Sequence, residues 1–184
     1  MKTALSLTLF LSFCASALAQ GRAALVEEDD VWKYGIHFSN WQQDGGGGLS
    51  ISTPFYKGLA FRFKGQLMIH EYFNQTTGET NLAQYAGGSA GLAFIVGRIG
   101  ETVRIYGEGG PVVVIPSEEL SNSNSKFGGY ALLGSEWIAS RSRTYLSFFI
   151  ETGYVGTLAR ADLAPRSPYF ATGFMLNAGI RLHP

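Results

Sequence analysis

The residues best suited to chemistry are His37 and Ser39, in the run His37-Phe38-Ser39-Asn40. A serine hydroxyl is a weak nucleophile at neutral pH and needs a neighbouring base to take its proton. Residues two apart on a strand share a face, so this spacing can set an imidazole beside a hydroxyl. The same two side chains also suit a plainer role, as polar groups bonded to their neighbours in an interior. The other histidines, His70 and His183, are scattered, and no ligand spacing predicts zinc or another metal. Gly45-Gly46-Gly47-Gly48 lacks the Lys and the following helix of a phosphate loop and reads as a flexible loop tip. Glu118-Glu119 reads as solvated loop charge, and no cofactor is predicted.

The elements that would hold these residues begin after an export signal. Met1-Lys2-Thr3 is a short basic start, Ala4 to Ala17 is apolar, and Ala17-Leu18-Ala19 has the A-x-A cleavage pattern. Residues 1–19 are therefore expected to be a signal peptide, with Gln20 as the new N-terminus and 20–30 as a short periplasmic segment. The apolar run is shorter than the roughly 20 residues a spanning helix needs. Leu11-Ser12-Phe13-Cys14 is a poor lipidation box because Phe13 is large; lipidation would anchor the chain rather than let it span. Cys14 is the sole cysteine and leaves with the signal, so neither a disulfide nor a thiolate metal site is expected. Loss of Lys2 removes one of 14 basic residues against 14 acidic ones, which leaves no basic field for nucleic acid.

Residues 31–184 read as one all-β domain. Apolar residues recur at period two, the strand signature. Eight strands are predicted: Val31 to Trp41, Gly48 to Tyr56, Leu59 to Phe73, Leu82 to Gly97, Thr102 to Ile115, Phe127 to Ala139, Thr144 to Leu158 and Tyr169 to Leu182. The predicted connections alternate long and short: Gln42 to Gly47, a Tyr56-Lys57-Gly58 turn, Asn74 to Asn81, Arg98 to Glu101, Pro116 to Lys126, Ser140 to Arg143 and Ala159 to Pro168. Short turns on one side and longer loops on the other, with an even strand count, fit an antiparallel up-and-down transmembrane β-barrel. No later segment reaches the length of a spanning helix, and a closed barrel is the other structure that satisfies its backbone in lipid.

Alternation alone also fits a soluble barrel that binds an apolar ligand inside. The charge count favours the inverted arrangement. Arg62, Lys64, Arg104, Glu108, Glu136, Glu151 and Arg181 lie on the polar faces, fewer charges than a solvated surface usually carries. In a narrow eight-strand lumen they must pair, because an unpaired buried ion costs several kcal/mol. They are predicted to form one ion-pair network, with Glu108 and Glu151 nearest the middle. Trp32, Phe55, Phe73, Phe127, Trp137, Tyr154 and Phe170 lie near strand ends on the apolar faces and are predicted to form aromatic girdles at the two membrane interfaces.

Two resemblances follow from these residues. Gly179-Ile180-Arg181-Leu182, within the final strand, resembles the C-terminal signal of small Gram-negative outer-membrane barrels, although the chain ends Leu182-His183-Pro184 rather than on an aromatic. That resemblance implies residence in the outer membrane, insertion by its assembly machinery, and contact with lipids including lipopolysaccharide. The expected barrel is monomeric, with a structural or surface-interaction role. His37-Phe38-Ser39-Asn40 resembles the H-x-S-N motif of lipid A 3-O-deacylases, which implies His37 as base and Ser39 as nucleophile. The motif lies late in that family and on the first strand here. The orienting Glu expected about a dozen residues on is replaced by Ser50-Ile51-Ser52, and the pair faces the lumen instead of lipid. The non-catalytic barrel is the leading expectation, with the deacylase-like enzyme and the soluble binder as alternatives.

Overall fold

The structure, a computed structural model, describes residues 31–74, 78–100, 102–122, 124–139, 144–163 and 168–184. The predicted signal peptide, the predicted 20–30 segment and the predicted 140–143 turn lie outside the described residues. The main strands are β1 (Lys33–Trp41), β2 (Asp44–Ser52), β3 (Leu59–Asn74), β4 (Glu79–Ile99), β5 (Val103–Pro116), β6 (Lys126–Ile138), β7 (Tyr145–Gly156) and β10 (Gly173–His183). Each pairs antiparallel with its chain neighbour, and β1 pairs with β10 to close the barrel. That seam runs from Tyr34↔Leu182 to Trp41↔Met175. A two-residue ribbon, β8 (Ala159–Arg160) with β9 (Tyr169–Phe170), lies in the connection between β7 and β10. No helix occurs among the described residues. The start of β1 and the end of β10 lie at one end of the barrel, here the turn end; the opposite end is the loop end.

The first hairpin differs from the sequence expectation. The glycine run 45–48 belongs to β2, and the turn is only Gln42-Gln43, with Gln42 at a φ of 60°. Two-residue hairpin turns require such a left-handed residue. Gly46 and Gly48, which face inward, are there for close approach. A Cβ on Gly48 would come within 2.7 Å of the Gln66 Cβ on β3. The clean long-short alternation of connections is therefore incorrect: at the loop end they are 42–43, 75–78, 117–125 and 157–172, and at the turn end 53–58, 100–102 and 139–144.

Two predicted girdle residues are also corrected. Phe55 and Phe170 are each 1% exposed and point inward. β2 ends at Ser52, so the 53–58 turn breaks the alternation that would have aligned Phe55 with Leu49 and Ile51. Ala171, at φ 51°, and Gly173, at φ 132°, break it again between Phe170 and the outward Phe174. Trp32, Phe127, Trp137 and Tyr154 are exposed on the outside. The side chain of Phe73 is outside the described set.

Polarity is inverted relative to a soluble barrel. On β1, Lys33, His37 and Ser39 are buried while Tyr34, Ile36 and Phe38 are exposed. On β3, Arg62, Lys64, Gln66 and His70 are buried while Phe61, Phe63 and Leu67 are exposed. The interior has three tiers. A small apolar cluster of Phe55, Ala60 and Ala93 lies toward the turn end. Charged and polar side chains follow. Near the loop end an apolar plug packs Met68, Tyr85, Val112 and Val114 against Leu120, Ala159, Ala161 and Phe170 from the loops.

Candidate functional site: the polar lumen

Successive inward positions on five strands build the centre of the lumen. β3 supplies Arg62 and Lys64, β5 Tyr106 and Glu108, β6 Tyr130, β7 Glu151, and β10 Asn177 and Arg181. Glu151 is fully buried and accepts from Arg181 Nη2 at 2.6 Å, Tyr106 Oη at 2.7 Å, Lys64 Nζ at 2.8 Å, Asn177 Nδ2 at 3.0 Å and Arg62 Nη1 at 3.2 Å. Glu108 accepts from Tyr130 Oη at 2.6 Å and from Arg62, and pairs with Lys64 Nζ at 2.9 Å. Rings cover the cation faces: Arg62 lies 4.8 Å from the Tyr106 centroid, and Arg181 lies 3.8 Å from that of Phe149. Tyr106 fits because its cross-strand partner is Gly134, whose missing Cβ leaves room for the ring.

A second centre stands nearer the turn end. Glu136 accepts from Ser147 Oγ at 2.7 Å and from Arg104 Nη1 at 3.2 Å, and lies 3.4 Å from both Arg181 Nη1 and His183 Nε2. Ser147 Oγ is 2.9 Å from His183 Nε2, and the His183 ring stacks on Tyr145 at 4.1 Å. Arg181 thus links the two centres. Beyond them, Phe55 takes Lys33 Nζ on its face at 4.3 Å and Arg104 at 5.1 Å. The structure places all seven charged residues singled out in the sequence inside the barrel, in contact through these three carboxylates.

Such a lumen binds its own charges. Removing ions from water costs several kcal/mol each and is offset only by close pairing and full hydrogen bonding. Glu151, with five donors, comes close to that limit. The arrangement ties β3, β5, β6, β7 and β10 to one another, and among the described residues these side chains occupy the middle of the lumen.

His37 and Ser39 face the same interior. Ser39 Oγ donates to Gln66 Oε1 at 3.2 Å, and His37 Nε2 lies 3.5 Å from that oxygen. A base that activates a serine must accept the hydroxyl proton directly. Here Gln66 of β3 stands between the two groups, and His37 Nδ1 has no hydrogen-bond partner among the described residues to orient the ring.

A third cluster, at the loop end, escaped the sequence reading because Asp44 fell in a presumed loop. Its carboxylate lies 2.6 Å from His70 Nδ1 and accepts from Tyr85 Oη at 2.6 Å and from the Ala171 backbone N–H at 2.9 Å. The 157–172 connection is thereby tied to β2 across the barrel mouth. Tyr106, Asn177 and His70 were visible in the sequence as members of polar strand faces; the pattern gave no sign that they would converge.

No protein-family model and no curated protein matches the chain. Among solved structures it is similar to the N-terminal β-barrel domain of Pseudomonas aeruginosa OprF, with a TM-score of 0.51 at 11% identity, over 85% of this chain and 98% of that one. At that identity the likeness is one of fold alone: both are β-barrel domains.

Proposed function

We propose that this protein is an integral outer-membrane β-barrel with a plugged, non-conducting lumen and a structural or surface-interaction role. The observation that carries the reading is the inversion of polarity: Phe38, Leu67 and Phe127 stand 62–72% exposed outside, while Arg62, Glu136 and Glu151 are fully buried inside. Water cannot cover such an outer wall without aggregation, whereas acyl chains can. The likeness to the OprF barrel domain supports the location.

The reading has three direct checks. Refolded in detergent, the protein should migrate differently on a gel with and without boiling, and it should need detergent or lipid to stay in solution. Reconstituted in a planar bilayer, it should give no conductance steps, because side chains fill the lumen of so narrow a barrel. A detergent-free, soluble folded monomer would overturn membrane residence, and stepwise conductance would overturn the closed lumen. Lipid A incubated with the protein should keep its acyl chains; a loss that disappears in His37→Ala would replace this reading with an enzymatic one.

A further inference from the structure

The outer wall is not uniformly convex. Where β4 to β7 pass each other, Gly109 of β5 and Ala131 of β6 face outward with almost no side chain, and they are cross-strand partners. Leu92 and Phe94 stand on one side of them, and Leu133 and Tyr154 on the other. Together they bound a groove of about 850 Å³. It runs obliquely from Leu59, the first residue of β3 beside the 53–58 turn, to Thr152 and Tyr154 near the loop end of β7. Four strand spacings separate its ends, roughly 19 Å. Phe94 lies on Gly107, where a Cβ would meet its ring, so the ring forms part of the wall rather than projecting into the space.

We infer that this groove holds one acyl chain of a phospholipid from the leaflet on the turn-end side, which presumes the membrane-spanning reading above. Three observations choose that occupant. First, the backbone beneath the groove is committed to the β5–β6 and β6–β7 ladders, and to the β4–β5 ladder except at the Val96 bulge and beside Gly110, so the walls offer mainly dispersion contacts. Second, the shape is long and oblique, which suits a flexible chain. Third, the turn-end entrance carries a headgroup partner. The 53–58 turn is bonded to β4 through Ile95 N–H to Gly58 O at 2.9 Å, beside the groove residue Val96. In that turn Lys57 is exposed, with its ammonium 5.2 Å from the Tyr56 ring centroid. A lysine and a tyrosine at an interface present a cation and an amphipathic ring at phosphate level.

The test uses the full folded barrel, extracted in mild detergent from vesicles of phosphatidylethanolamine and phosphatidylglycerol and weighed by native mass spectrometry. The wild type should retain one phospholipid. Ala131→Leu, which fills the floor, should lower that occupancy about tenfold. Ala178→Leu, on the outward face of β10 and away from the groove, should leave it unchanged. Thr152→Leu fills the groove from the neighbouring strand and repeats the test should Ala131→Leu fail to fold. Equal retention by wild type and both filling variants would overturn the groove while leaving the membrane reading intact. So would a lipid-free dimer that Ala131→Leu separates. A wild type that never enters the vesicles would overturn the membrane reading first, and the groove with it.

Discussion

Glu151 is the residue on which the lumen depends most. Its five donors come from β3, β5 and β10, so one carboxylate joins three strands to its own. Glu151→Gln keeps the volume but removes the charge that balances Arg62, Lys64 and Arg181, and it leaves a donor among donors. Breaking a buried ion pair from one side costs about 3 kcal/mol or more. The variant should therefore melt well below wild type in detergent, while Glu118→Gln, at an exposed loop position, should shift stability by no more than about 0.5 kcal/mol. Equal melting of Glu151→Gln and wild type would mean that the network contributes nothing to holding the barrel closed. The charges balance closely across the interior: among the described residues, Lys33, Arg62, Lys64, Arg104 and Arg181 face Asp44, Glu108, Glu136 and Glu151.

The 157–172 connection shows how a long loop becomes a stopper. Its described parts pair as β8 and β9, bury Ala159, Ala161 and Phe170 in the plug, and hang from Asp44 by the Ala171 N–H. Asp44→Ala leaves that N–H, Tyr85 Oη and His70 without their acceptor, a loss of about 2 kcal/mol for the local closed state. Opening of the loop should rise about thirtyfold, read as faster trypsin cleavage after Arg160, with the barrel itself still resisting unfolding in the cold gel. Unchanged cleavage would show that apolar packing alone holds the stopper. This element also marks where the sequence was legible. Period-two alternation located the barrel strands other than β4, whose Gly and Ala blur it, and the polar faces of β3, β5 and β7 placed Arg62, Glu108 and Glu151 inside, because a pleat forces neighbours to opposite sides. Phe55, Phe170 and Asp44 were misplaced for one shared reason. Each lies beside a turn whose backbone resets the parity, and a pattern of residue types does not reveal a left-handed φ at Gln42 or Ala171. Convergence of side chains across the lumen is set by strand register, which local sequence does not carry.

Barrel height varies around the circumference. β1 and β2 have nine residues each, close to the roughly 9–11 that cross a bilayer, whereas β3 has 16 and β4 has 21. On the membrane-spanning reading proposed above, the β3–β4 hairpin rises beyond the hydrocarbon at the loop end, by roughly 15 Å at about 3.3 Å per residue. Its outward residues change character at that level: on β3, Phe61, Phe63, Leu67 and Ile69 give way to Glu71, and on β4 Gln84 lies opposite Ile69 and Leu82 opposite Glu71. An outward carboxylate within the acyl region would be costly, so the same reading sets the membrane boundary below Glu71. Single-tryptophan reporters test this placement once Trp32, Trp41 and Trp137 are replaced by Phe. In vesicles containing lipid brominated near the middle of its chains, Phe63→Trp should be strongly quenched and Glu71→Trp scarcely at all. Equal quenching of the two would put the tall hairpin inside the bilayer, and the apolar band would then no longer define how the barrel sits.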